Sequence, residues 1–253
     1  MPVIINGTTG IVTPALVNGT ALAFRNKIIN GNFGINQRLY VSGTATSGAN
    51  QYTLDRWRVV TSGQNLTFSA SGIGNIVTAP AGGIEQVIEA LNIEGGTYTL
   101  SWTGTATGAV NGSAISNGGQ VTLPANTNAT IKLSSGTVSL VQLEEGSVAT
   151  PFENRPIGTE LALCQRYYEY VGTQVSFVLF SDAAVRALGA NISFKTQKRS
   201  QPTINAQTFI YGNASGATFS AIQPYNFRLN WSSGGIVGQT SIQVDGLTAS
   251  AEL

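Results

Sequence analysis

The chain has 253 residues, 42% of them apolar and only 10% charged, with a formal net charge of +1. That balance leaves no basic patch for nucleic acid or an anionic membrane, and no run approaches the ~18 apolar residues of a membrane-spanning helix. Histidine is absent and cysteine occurs once, which excludes Ser-His and Cys-His nucleophilic catalysis, His-ligated zinc and a disulfide framework. The polar surface must come from Ser, Thr, Asn, Gln and 30 glycines, a mixture suited to short strands and tight turns.

Residues 1–25 alternate small apolar residues with Gly, Thr and Asn, with turn signals at Asn6-Gly7 and Asn18-Gly19. They have neither the basic start nor the apolar core of a secretory signal. Alone such a segment cannot bury a core, so order is expected only through pairing with copies of itself or docking on a partner. Further on, alternation around 57–60 puts Trp57 and Val59 on a buried face. Asp55 reads as a turn cap, and Arg56 beside it as a local stack or ion pair. Strands are predicted at 66–69, 73–78, 84–88, 97–103, 120–123, 130–133 and 137–143. Their spacing indicates a β-sandwich or jelly roll with Tyr98, Leu100 and Trp102 turned inward.

Between 141 and 172 the pattern changes. Pro151 and Pro156 stiffen the chain, and Thr159 is placed to cap a helix with Glu160 in its first turn. Helical spacing puts Leu161, Cys164, Gln165 and Tyr168 on one face and Leu163, Tyr167 and Tyr170 on the next. So short a helix with so broad an apolar surface needs tertiary or inter-chain packing, which makes Leu161, Cys164, Tyr167 and Tyr168 the expected trimer or domain interface. Cys164 is expected to be a buried thiol. Beyond it, strands are predicted at 174–180, 189–194, 207–211, 218–222, 227–231 and 241–244, with Phe227, Leu229 and Trp231 on one core-facing side. The basic run from Lys195 to Arg199 reads as a solvated strand end.

The predicted organisation is all-β throughout: an N-terminal attachment segment (1–25), a jelly-roll β-sandwich (26–155), a linking helix (156–172) and a C-terminal β-sandwich tip (173–253). Catalysis has one opening, a carboxylate pair. Glu144 and Glu145 are adjacent and point to opposite faces of a strand. Glu85 and Glu89 are neighbours only on a helix, which Gly82-Gly83 and Val87-Ile88 oppose. No phosphate-binding loop and no EF-hand spacing occur, though a Ca²⁺ held partly by backbone carbonyls stays open. No catalytic residue, metal ligand or cofactor is assigned.

Two stretches carry a resemblance. Asn26 to Phe33 with Gln37-Arg38, followed by Tyr52-Thr53-Leu54-Asp55-Arg56-Trp57, resembles the opening of a jelly-roll domain in tailed-bacteriophage tail fibre proteins. An aromatic residue commonly precedes the Gln-Arg pair in that family, and here Ile35-Asn36 stands there. The run from Val141 to Glu153, with Glu160 to Glu169, resembles that domain's closing signature, and 249–253 is similar to the ends of such fibres. The resemblance implies a structural virion protein of the phage tail, a homotrimer attached to tail or baseplate through residues 1–25. It also implies a host-surface polysaccharide as receptor, with Asp55, Arg56, Trp57, Cys164 and Gln165 as fold determinants. Sugars are held by flat rings and amides on loops, which singles out Tyr211, Asn213, Tyr225 and Asn226 as receptor contacts. The competing readings are a tailspike polysaccharide hydrolase and a purely structural baseplate or fibre connector.

Overall fold

A computed structural model describes residues 24–182 and 185–253, and the backbone of 4–6 and 10–12. Among these residues the chain forms twenty β-strands, one α-helix and one 3-10 turn at Ala90–Asn92, an all-β protein as composition requires. Strands β1 (Ile4–Asn6) and β2 (Gly10–Val12) pair antiparallel. Most of the attachment segment expected at 1–25 lies outside the described residues.

Contacts divide the chain into two compact units. The first comprises the described residues of Met1–Gly34, with Val41–Thr53 and Trp57–Arg155. Its six-stranded sheet contains β3 (Gln51–Tyr52), β4 (Arg58–Val59), β7 (Ile84–Ile88), β9 (Thr107–Val110), β10 (Ser113–Ile115) and β12 (Ala129–Ser134), in the order β10-β9-β12-β7-β4-β3. Its five-stranded sheet contains β5 (Thr67–Ser71), β6 (Gly74–Ala79), β8 (Gly96–Gly104), β11 (Gly119–Leu123) and β13 (Gly136–Glu145), in the order β11-β8-β13-β6-β5. All pairings are antiparallel, consistent with a β-sandwich. Ala129, Ile131 and Leu133 alternate inward along β12, and Tyr98, Leu100, Trp102, Trp57 and Val59 are buried as their phase predicts.

The opening motif works as a surrogate strand. Asn26 accepts the backbone N–H of Leu143 at 3.1 Å through Oδ1 and donates to the Val141 carbonyl at 3.1 Å. Gln86, fully buried, donates to the Ile29 carbonyl at 2.7 Å and accepts the Ile29 N–H at 2.8 Å. Two side-chain amides thus satisfy backbone groups that would be costly to bury bare. The Trp57 indole closes the segment by donating to the Asn30 carbonyl at 2.9 Å.

The second unit gathers Ile35–Tyr40, Leu54–Arg56 and Pro156–Leu253. After α1 (Ile157–Gln165), strand β14 (Tyr168–Ser181) pairs with β20 (Gly238–Ser250), which also pairs with β16 (Thr203–Asn205) and β17 (Thr208–Gly212). A second sheet runs β15 (Ala187–Ser193), β19 (Asn226–Ser233), β18 (Ala214–Ser220). Ile192, Phe227, Leu229 and Trp231 from this sheet meet Ile242, Val244 and Leu247 from β20 in one apolar core. Phe194 and Phe219 pack on Phe227 with centroids 5.5 and 5.6 Å away.

The helix departs from expectation at both ends. It starts on Pro156, whose carbonyl accepts the N–H groups of Thr159 at 2.9 Å and Glu160 at 3.1 Å, so Thr159 caps nothing. It stops at Gln165, because Tyr168-Glu169-Tyr170-Val171 favour the extended state and find a ladder partner in Thr248–Ser250 of β20. Tyr168 and Tyr170 are therefore strand residues and share no helix face with Leu161.

Candidate functional site

The four receptor candidates do not form one cluster. Tyr211 is the penultimate residue of β17, 41% exposed, and its hydroxyl accepts the Ala217 N–H at 3.2 Å. Asn213 lies beyond the far end of β19: its carbonyl accepts the Gly234 N–H, and its amide donates to Ile236 at 3.0 Å and Gln239 at 3.2 Å. That makes Asn213 a cross-link between turns. Tyr225 (58% exposed) and Asn226 stand at the start of β19, whose rise puts them ~23 Å from its other end. Alternation along β19 turns Phe227, Leu229 and Trp231 into the core, leaving Asn226, Arg228 and Asn230 on the outward face.

The residues of the opening signature meet those of the closing one inside the second unit. Asp55, fully buried, accepts the Gln37 backbone N–H at 2.5 Å and its Nε2 at 2.8 Å, so it serves a partner 18 residues away. Arg38 pairs with Glu252 at 2.8 Å, and Arg56, only 1% exposed, pairs with the other oxygen of the same carboxylate. The two guanidiniums stack on consecutive rings, Arg38 over Tyr168 at 3.7 Å and Arg56 over Tyr167 at 3.6 Å. Arg56 holds a positive φ of 69°, a conformation that an arginine adopts only where tertiary contacts compensate. Arg56 thus has a long-range partner, 196 positions away along the chain.

Burial pushes the Asp55 carboxyl up, against the pull of Arg38 and Gln37. Burial also raises the Cys164 thiol well above its usual value, with Asp55 and Glu160 adding to it, so this cysteine is no nucleophile at neutral pH. Cys164 and Tyr167 are buried within the unit, while Leu161 and Tyr168 are half-buried. The run from Lys195 to Arg199 is not solvated throughout. Lys198 is buried, donating to Glu169 at 2.5 Å and to the Gln165 carbonyl at 2.6 Å. Burial lowers its pKa and Glu169 opposes that shift.

Two acidic residues of the closing signature are occupied within the first unit. Glu144, 2% exposed, accepts the Thr150 N–H at 2.7 Å and hydroxyl at 2.6 Å. Glu153 accepts the Asn26 N–H at 2.9 Å, and its own N–H donates to Gln142 at 2.8 Å. These carboxylates hold loops. Among the described residues no group of three or more His, Cys, Asp or Glu could hold a metal ion, and no helix is long and apolar enough to cross a membrane.

The geometry defines an all-β protein in which several residues of the recognisable motifs are buried and fastened to one another. No family model matches the chain, and no curated protein matches it. Among solved structures, recombinant discoidin II of Dictyostelium discoideum aligns over 87% of this chain and 90% of its own, at 10% identity and a TM-score of 0.23. So slight a likeness bears on neither fold nor ligand.

Proposed function

We propose that the chain is a structural tail-fibre protein of a bacteriophage, binding host-surface polysaccharide without cleaving it. On this reading it is a homotrimer in the virion, attached to tail or baseplate through residues 1–25. The observation that supports it is the convergence of the motif residues. Gln37-Arg38, Asp55-Arg56 and the 160–169 stretch, which carry the resemblance from distant parts of the chain, are mutual partners through Asp55, Tyr167, Tyr168 and Glu252. Residues tied together in one device support reading them as one signature. A trimer would also raise a weak sugar site to useful avidity through effective concentration.

The test combines light scattering with adsorption of labelled protein to a panel of encapsulated and lipopolysaccharide-bearing bacteria. A trimer that adsorbs to some of these cells and releases no new reducing ends from their polysaccharide is the expected result. A stable monomer that adsorbs to none overturns the reading, and release of reducing ends replaces it with a hydrolase.

A further inference from the structure

The outward face of the β15–β19–β18 sheet gathers several polar groups around one cation. Several asparagine amides elsewhere are spent on the protein's own backbone, as at Asn26, Asn75, Asn111, Asn117 and Asn213. Register places Arg228 of β19 between Asn191 of β15 and Ser220 of β18, with Asn226 and Asn230 on either side along its own strand. Among the described residues, the side-chain amides of Asn191 and Asn226 have no hydrogen-bond partner. The Arg228 guanidinium likewise has no carboxylate within ion-pair distance. The three strands contain no acidic residue.

The guanidinium is also positioned. Its Nε donates to Asn230 Oδ1 at 3.0 Å, and the Asn230 amide is fixed in turn by donating to Ser220 Oγ at 2.7 Å. It lies over Gly189 of the neighbouring strand, where a Cβ would stand 2.7 Å from Nε and Nη2 and 2.9 Å from Cζ. A side chain at that position would displace the group, so the glycine is what lets the guanidinium lie across the sheet. With Nε occupied, both Nη nitrogens remain as donors toward solvent, a planar pair that matches the two oxygens of a carboxylate. Exposed Tyr225 stands at the end of the row.

We propose that this face is a subsite for an acidic saccharide: Arg228 takes the carboxylate of a uronic acid, and Asn191 and Asn226 take its hydroxyls. The inference rests on the receptor-binding reading and narrows it to the charge class of the sugar. Charge complementarity carries it, since the face offers one uncompensated cation amid neutral amides.

The test uses D-glucuronate, methyl glucoside and inorganic phosphate as probes in ligand-observed NMR titrations of the full chain. Wild type should bind glucuronate about tenfold more tightly than methyl glucoside, a difference of about 1.4 kcal/mol. Arg228→Gln should abolish that preference. Gly189→Ala keeps the charge and a sound strand but dislodges the guanidinium, and should lose most of the preference too. Equal binding of glucuronate and glucoside by wild type overturns the subsite, as does a preference unchanged in Arg228→Gln. Loss in Arg228→Gln alone, with Gly189→Ala unaffected, reduces the site to a generic charge, and phosphate binding as tightly as glucuronate removes the sugar from it. Whole-cell adsorption separates the two levels. Wild-type adsorption that survives in both variants sinks this subsite and leaves the receptor reading standing, whereas a wild-type chain that adsorbs to nothing sinks the reading itself.

Discussion

Replacing Glu252 by Gln keeps the shape of the side chain and removes its charge from between two arginines. Arg56 is 1% exposed, Arg38 15% and Glu252 7%, so the site lies well on the buried side of the range over which ion pairs vary in worth. An exposed pair is worth ~0–1 kcal/mol, whereas removing one partner of a buried pair costs about 3–5 kcal/mol because a charge is left in low dielectric. The partial exposure of Arg38 favours the lower end, so we expect a loss of about 3 kcal/mol, large against the ~5–15 kcal/mol total of a typical domain. Native-state hydrogen exchange on β19 and β20 reads the opening free energy of the second unit directly. A change below ~1 kcal/mol would refute the reasoning, since it would give the cluster the value of a surface pair. The double variant Arg56→Met with Glu252→Gln adds a further check. It should recover much of the loss, because the Arg56 charge is gone and an apolar chain still covers Tyr167. A double variant as weak as the single one would place the cost in packing.

Three further outcomes are expected. Gly31→Ala puts a Cβ 2.2 Å from the Val141 backbone oxygen, where neither chain can yield without losing the 2.8 Å bond from Val141 N–H to Gly31, and should cost about 2–3 kcal/mol by urea unfolding. The Tyr98 phenol is pushed up to about 12 by burial and by the Glu94 carboxylate. The folded state therefore keeps a proton that the unfolded chain releases near pH 10, and stability should fall as pH climbs from about 10 to 12. Tyr98→Phe should flatten that slope in pH-dependent thermal melts. Finally, the Trp102 indole donates to Ala106 at 3.1 Å, while the buried Trp231 N–H has no acceptor among the described residues. Trp231→Phe should therefore be less destabilising than Trp102→Phe by about 1 kcal/mol in urea unfolding, and the reverse order would contradict this account.

What the sequence makes legible here is alternation, and alternation is local. Tyr98-Leu100-Trp102 and Phe227-Leu229-Trp231 each show a period of two in a few residues, and all six are buried. Strands β9, β10 and β16 escape notice because three or four residues such as Thr-Gly-Ala-Val or Ser-Ala-Ile are too short to show any period. Charge pairing is legible only when partners are close along the chain. Lys198 sits in a polar run that looks solvated, and its carboxylate lies 29 residues upstream on a strand whose start has helical spacing in the sequence. The Asn226-Arg228 part of the candidate face is visible in one strand, but Asn191 and Gly189 join it only once the β15–β19 register is known.

The Glu252 fastening also sets an order of events. Arg38 and Arg56 are separated from it by 214 and 196 positions. At ~5–20 residues per second of synthesis, Arg56 waits about 10–40 s before its carboxylate exists. The second unit is thus a high-contact-order assembly whose closure must follow synthesis of Glu252, and its refolding from denaturant should be slow for the same topological reason.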